Sequence, residues 1–179
     1  MKGVIFNVLE EMVVEHLGMA HWNKILEQSC PDNHFHTAGD SYPDSELFTL
    51  VEHVSTELDK PIEEVVGAFG EYLFAKLAER YPIFVDSEQD LKSFLKSVDS
   101  VIHMEVKKLY DSPNLPQFTY SEPDNNHLVM QYRSPRKLCI LAEGLIRGAA
   151  MHYQEQVEIS HPVCMHKGAD HCDLIIRFK

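Results

Sequence analysis

Tyr132-Arg133-Ser134-Pro135-Arg136 marks the place where a strand hands over to a helix. The run before it, His127-Leu128-Val129-Met130-Gln131-Tyr132, alternates as a half-buried strand does. Ser134 followed by Pro135 predicts a helix opening, because serine satisfies free N–H groups and proline tolerates the first helical position. Tyr132 and Ser134 then share one side of the strand, and Arg136 enters from the first helical turn. Two hydroxyls and a planar guanidinium around one volume suit a carboxylate or a phosphate. A polar network that only ties a helix start to a sheet is the competing reading, and spacing alone does not separate the two.

Outward from this stretch the two halves of the chain differ in character. Upstream, Val4, Ile5, Val8, Leu9, Met12, Val13 and Leu17 form a helical stripe over 3–17 that Gly18 stops. Further helices are expected over 20–28, 45–57 and 61–80, with loop-like sequence over 30–44. Gly67 and Gly70 lie inside the helix over 61–80 and predict close approach by another helix or by a flat cofactor. Ser87 is the expected cap of a helix from about 88, with a break near Ser97–Ser100 and continuation through Val101–Tyr110. Downstream, Gln117–Tyr120 and His127–Arg133 flank a Pro-Asp-Asn-Asn turn, and Val157–Val163 and Cys172–Phe178 flank Lys167–Asp170. Between the hairpins, Pro135 to Gln154 reads as a helix. The fold class is therefore α+β: a helical N-terminal half packed on a four-stranded antiparallel sheet with one crossing helix.

A chain of 179 residues that is 44% hydrophobic and 25% charged fits one soluble globular domain, over 1–179, with a mainly helical part to 110 and an α/β part from 111. The net charge of −12 argues against nucleic acid or anionic lipid as the main partner. Without a membrane-length apolar run or a signal pattern, no membrane insertion is expected and the expected compartment is the cytoplasm. Four cysteines suit a thiolate metal site better than a disulfide scaffold. Cys30 stands far in sequence from the other three and reads as a bystander, with a redox role as the alternative.

The Tyr-x-Ser-x-Arg motif, the opening Met1-Lys2-Gly3-Val4-Ile5, His103-x-x-Val106 and the loop proline Pro116 together resemble the haem nitric oxide/oxygen-binding (H-NOX) domains, of the bacterial stand-alone NO-sensing type. The resemblance covers nearly the whole chain. It implies haem b between the two halves, with His103 as proximal iron ligand and Tyr132, Ser134 and Arg136 holding the propionates. It also implies a haem pocket that includes Ile5, Phe74, Pro116, Leu141 and Leu145. Oxygen-binding members carry a tyrosine on the helix after Tyr-x-Ser-x-Arg, whereas the matching position here is Leu141. Nitric oxide and carbon monoxide are therefore the expected ligands, and O₂ is not. The family further implies a sensor and not an enzyme, in which release of His103 from the iron shifts conformation. Output would pass to a separate partner, a sensor histidine kinase or a cyclic-di-GMP enzyme.

A second cluster stands apart from these motifs. Cys164 and Cys172 lie symmetrically about the Lys167–Asp170 turn, His161 sits at the strand end, and Cys139 on the crossing helix completes a Cys₃His set. That composition suits tetrahedral structural zinc. Free core thiols and a disulfide remain alternatives, and His166 and His171 compete with His161. A zinc/thiol redox regulator built on this cluster is the alternative function.

Overall fold

The computed structural model describes residues 1–30, 35–104, 107 and 114–179. Helix α1 (Gly3–Leu17) buries Phe6, Leu9 and Val13 at helical spacing and ends at Gly18, whose φ of 88° is one that L side chains rarely adopt. Helices α2 (Met19–Ser29), α3 (Asp44–Leu58) and α4 (Ile62–Arg80) complete a first core around Trp22, Ile25, Leu50, Phe69 and Leu73. A one-turn helix, α5 (Ile83–Asp86), has no counterpart in the sequence reading, being too short to show a period. Helix α6 (Leu91–Ser97) is capped by Asp90, whose carboxylate accepts from Ser93 N–H at 2.7 Å, and not by Ser87. Ser87 instead donates back to the Phe84 carbonyl.

The break expected near Ser97–Ser100 takes the form of a π-helical turn, Val98–Ile102, in which His103 N–H donates to the Val98 carbonyl. The backbone widens there without stopping. Val106 and Tyr110 lie outside the described residues.

The sheet holds β1 (Gln117–Ser121), β2 (His127–Arg133), β3 (Val157–Val163) and β4 (Cys172–Phe178) in the antiparallel order β1-β2-β4-β3. Both predicted hairpins are present. Strand β2 points Leu128, Met130 and Tyr132 inward, and β4 points Cys172, Leu174 and Ile176 inward. With Leu91 and Phe94 of α6 they form a second core under helix α7 (Cys139–His152).

Helix α7 starts later than the sequence predicts. Lys137 takes a left-handed φ of 52°, which interrupts helical geometry, and its N–H closes a turn on the Ser134 carbonyl. Pro135 and Arg136 thus belong to that turn, and Ser134 accepts from Arg136 N–H at 3.3 Å instead of capping a helix.

The two cores meet where α4 crosses α7, and the crossing answers the question posed by Gly67 and Gly70: the close neighbour is a helix. A Cβ added to Gly144 would lie 2.3 Å from the Gly67 carbonyl oxygen and 2.9 Å from Gly70 Cα, both backbone atoms that cannot rotate away. Helix propensity alone favours Gly144→Ala by about 1 kcal/mol, but overpacking against backbone costs more. The expected net result is a loss of about 2 kcal/mol, read as a lower thermal midpoint. Gly39→Ala, with open space around it, is the control expected to stay near wild type. A stabilised Gly144→Ala protein would show that the helices part easily.

Candidate functional site

His103 follows the π-helical turn and is largely buried. Its Nδ1 lies 3.2 Å from an Asp99 carboxylate oxygen, and its ring packs against Phe118 at 5.9 Å between centroids. Burial lowers the imidazole pKa, and the charges of Lys107 and Arg136 add to that; the Asp99 hydrogen bond and charge oppose it. The result is a neutral ring with Nδ1 committed to a carboxylate and Nε2 left for a metal, as in many metal-bound histidines. Asp99 was missed from sequence, although its position four residues before His103 on a helical segment was a legible signal.

Phe118 also packs edge-on to Tyr132 at 5.6 Å, so one aromatic contact links His103 to the Tyr-x-Ser-x-Arg segment. The Tyr132 hydroxyl accepts from Leu138 N–H at 2.9 Å and keeps its own proton to donate. Burial pushes its pKa up, while Ser134, Leu138 N–H and the Arg136 charge pull it down. Ser134 is buried on the same face. Arg136 extends from the turn toward the N-terminus: one guanidinium nitrogen donates to the Asn114 carbonyl, and another lies 3.3 Å from the Met1 sulfur. Its Nε is buried without a hydrogen-bond partner, with an Asp44 carboxylate oxygen at 3.9 Å. A buried, unpartnered guanidinium Nε in the same segment as two hydroxyls fits a carboxylate-bearing ligand.

The apolar positions named for the pocket are distributed around the seam between the cores. Ile5 and Leu141 pack on the helical core, Leu145 touches both cores, and Phe74 belongs to the sheet-side core, edge-on to Phe94. Pro116 immediately precedes β1 and is half-buried.

At the start of α7, one ligand atom from each of Cys139, His161, Cys164 and Cys172 lies within 4.8 Å of the others. No disulfide joins these thiols. A register shift between Ser160 and Val163 in β3 falls at His161-Pro162, on an edge strand where proline is tolerated. His161 Nδ1 lies 2.6 Å from a Glu143 carboxylate oxygen, and its Nε2 is buried with no partner. Burial and the neighbouring thiols push the Cys139 thiol far above its ordinary pKa, and burial raises that of Cys172. The competing histidines are engaged elsewhere, His166 on the Lys137 carbonyl and His171 on Asp170 and Asp173. Three clustered thiols and an orphaned imidazole nitrogen match the donor set of tetrahedral zinc.

The fold and this arrangement define a haem-based sensor architecture. The Haem-NO-binding family model matches residues 2–161, and the chain belongs to that family, the H-NOX gas sensors. Among solved structures, an H-NOX protein from Shewanella oneidensis in the Fe(II)NO ligation state is 48% identical, with a TM-score of 0.96 over 100% of this chain and 99% of that one. The H-NOX domain from Shewanella oneidensis in the Fe(II)CO state gives 48% and 0.93 over the same shares. The unliganded Fe(II) H-NOX protein from K. algicida gives 27% and 0.88 over 100% and 97%. No match was found among the curated proteins. No described helix is long and apolar enough to cross a membrane.

Proposed function

We propose that the chain is a nitric oxide sensor that binds haem b through His103, with residues 1–110 and 111–179 as the two parts of one gas-sensing domain. The observation that carries this reading is the neutral, Asp99-tethered imidazole of His103, one aromatic contact from Tyr132 and within the field of Arg136. Haem, when bound, would supply a ferrous centre for a diatomic gas, and His103 would be the residue that holds its iron. Tyr132 and Ser134 would donate to the propionates and Arg136 would pair with them. Ile5, Phe74, Pro116, Leu141 and Leu145 would supply apolar contact.

Leu141 offers no hydrogen-bond donor. Bound O₂ is strongly polarised and depends on a donor, whereas NO and CO do not, so NO and CO are the proposed ligands. An absorption spectrum of the purified ferrous protein tests this: it should change with NO and with CO under anaerobic conditions and show no stable new species in air. A stable new spectrum in air would overturn the selectivity, and failure to take up haem would overturn the whole reading.

Release of His103 would free the π-helical turn that His103 ends, and a partner that distinguishes the two conformers would read the change. A sensor histidine kinase or a cyclic-di-GMP enzyme in the cytoplasm is the proposed partner, with no enzymatic activity in the chain itself. Zinc at Cys139, His161, Cys164 and Cys172 is proposed as a structural clamp of helix to hairpin. The alternative, regulation through oxidation of those thiols, rests on the same cluster and predicts zinc release by hydrogen peroxide.

A further inference from the structure

We infer that Cys30, His36 and Glu46 form a separate site for a thiophilic divalent cation of the zinc class. One ligand atom from each lies within 4.8 Å of the other two. They come from different places: Cys30 ends α2, Glu46 sits in the first turn of α3, and His36 lies between. Cys30 and His36 are both buried.

The His36 ring has little freedom. It stacks on Phe6 at 4.0 Å and 12°, with Tyr42 edge-on at 4.6 Å, and this aims Nε2 at the Glu46 carboxylate. The separation is 3.4 Å, long for a charge-assisted hydrogen bond. Around tetrahedral zinc, with bonds of about 2.0–2.3 Å, ligand atoms stand roughly 3.3–3.7 Å apart. Closing the triad onto a cation therefore asks for side-chain shifts of at most about 1.5 Å. A thiolate and a carboxylate balance the two charges of the cation, and neutral imidazole adds none, so the loaded site is neutral where it is buried. Binding releases the Cys30 proton to solvent. The fourth vertex is left to water or an added ligand.

Such a cation would fasten the loop that covers the start of α1. Gly3 and Val4 donate to the Asp40 and Ala38 carbonyls in that loop, and Asp44, two residues before Glu46, pairs with the Met1 ammonium at 2.7 Å. The site is thus distinct from the Cys139 cluster and does not depend on the haem reading.

The test compares the full-length wild type with Cys30→Ser, equilibrated with buffered free zinc, desalted and assayed for metal. Wild type should hold one zinc per chain more than the variant. Loaded with cadmium-113 under CO, which keeps any ferrous haem diamagnetic, wild type should show a single-thiolate resonance that Cys30→Ser lacks. Equal metal content and identical spectra would overturn the site. If Cys30→Ser does not fold, Glu46→Gln replaces it: a tenfold or greater fall in zinc affinity at one site supports the assignment, and unchanged affinity overturns it.

Discussion

His103→Gly should leave a protein that holds haem only weakly and regains a defined ferrous spectrum when imidazole is added. The structure separates this effect from simple unfolding. His103 packs on Phe118, and its partner Asp99 is partly exposed, so the orphaned carboxylate is solvated. The cost to the fold is that of a glycine in a helical segment, about 1 kcal/mol, together with the packing lost with a largely buried ring, roughly 0.5–3 kcal/mol. The cost to haem binding comes on top of this. Removing a partner that merely orients a metal ligand typically lowers affinity about 10–100-fold, and removing the ligand itself should exceed the upper end. If His103 release is the signal, the imidazole-free variant should regulate the partner as NO-treated wild type does. A variant whose spectrum neither changes nor responds to imidazole would show that another residue serves as the ligand.

Much of this was legible in the sequence because periodicity speaks directly of elements. The stripe over 3–17 gave α1; alternation in β2 and turn signals between the paired runs gave all four strands within a residue, since each turns one face toward the core. Tyr132 and Ser134 share a buried face because strand side chains repeat every two residues. What could not be read depended on backbone conformations without a sequence signature. Ser134-Pro135 matches a helix start, yet the left-handed Lys137 defers α7 to Cys139 and places Arg136 in a turn. Asp90 outcompetes Ser87 as a cap because its carboxylate reaches Ser93 N–H, a matter of two or three residues that propensity does not resolve. The π-helical turn read as a break, since widening and stopping both interrupt the 3.6-residue pattern.

The candidate sites divide along the same line. His103 stood out only through its family motif, while the partners that tune the sites are tertiary. Glu143 reaches His161 across the packing of α7 on β3, and Asp44 reaches Arg136 from the other half of the chain. Cys30 read as a bystander because His36 and Glu46 converge on it only through the fold. Likewise, His161, His166 and His171 are equivalent by spacing and are told apart by where each ring nitrogen is engaged.

Cys172→Ser is the change expected to expose what the Cys₃His cluster does. Cys172 is fully buried, and its sulfur accepts from Met165 N–H at 3.2 Å, a bond that a serine hydroxyl can also accept. As a plain core substitution it should therefore cost about 1 kcal/mol. If the cluster holds zinc, the variant also loses the linkage between metal and fold, about 3–4 kcal/mol when free zinc stands 100–1,000-fold above its dissociation constant. For a chain of this size that is a drop of roughly 6–15 °C in Tm. The discriminating control is a chelator, applied in a Cys30→Ser background so that the separate Cys30-His36-Glu46 group does not contribute; it should lower the Tm of the protein with Cys172 intact toward that of the variant and leave the variant unmoved. The loss should also reach the proposed propionate site. Cys172 is the cross-strand partner of Tyr132, and Cys139 directly follows Leu138, whose N–H holds the Tyr132 hydroxyl. A cation joining Cys139 to Cys172 thus braces both sides of Tyr132, and its removal should speed haem loss while leaving His103 in place. A variant with wild-type zinc content, or one whose Tm deficit persists unchanged beside chelated wild type, would return these cysteines to the role of core thiols.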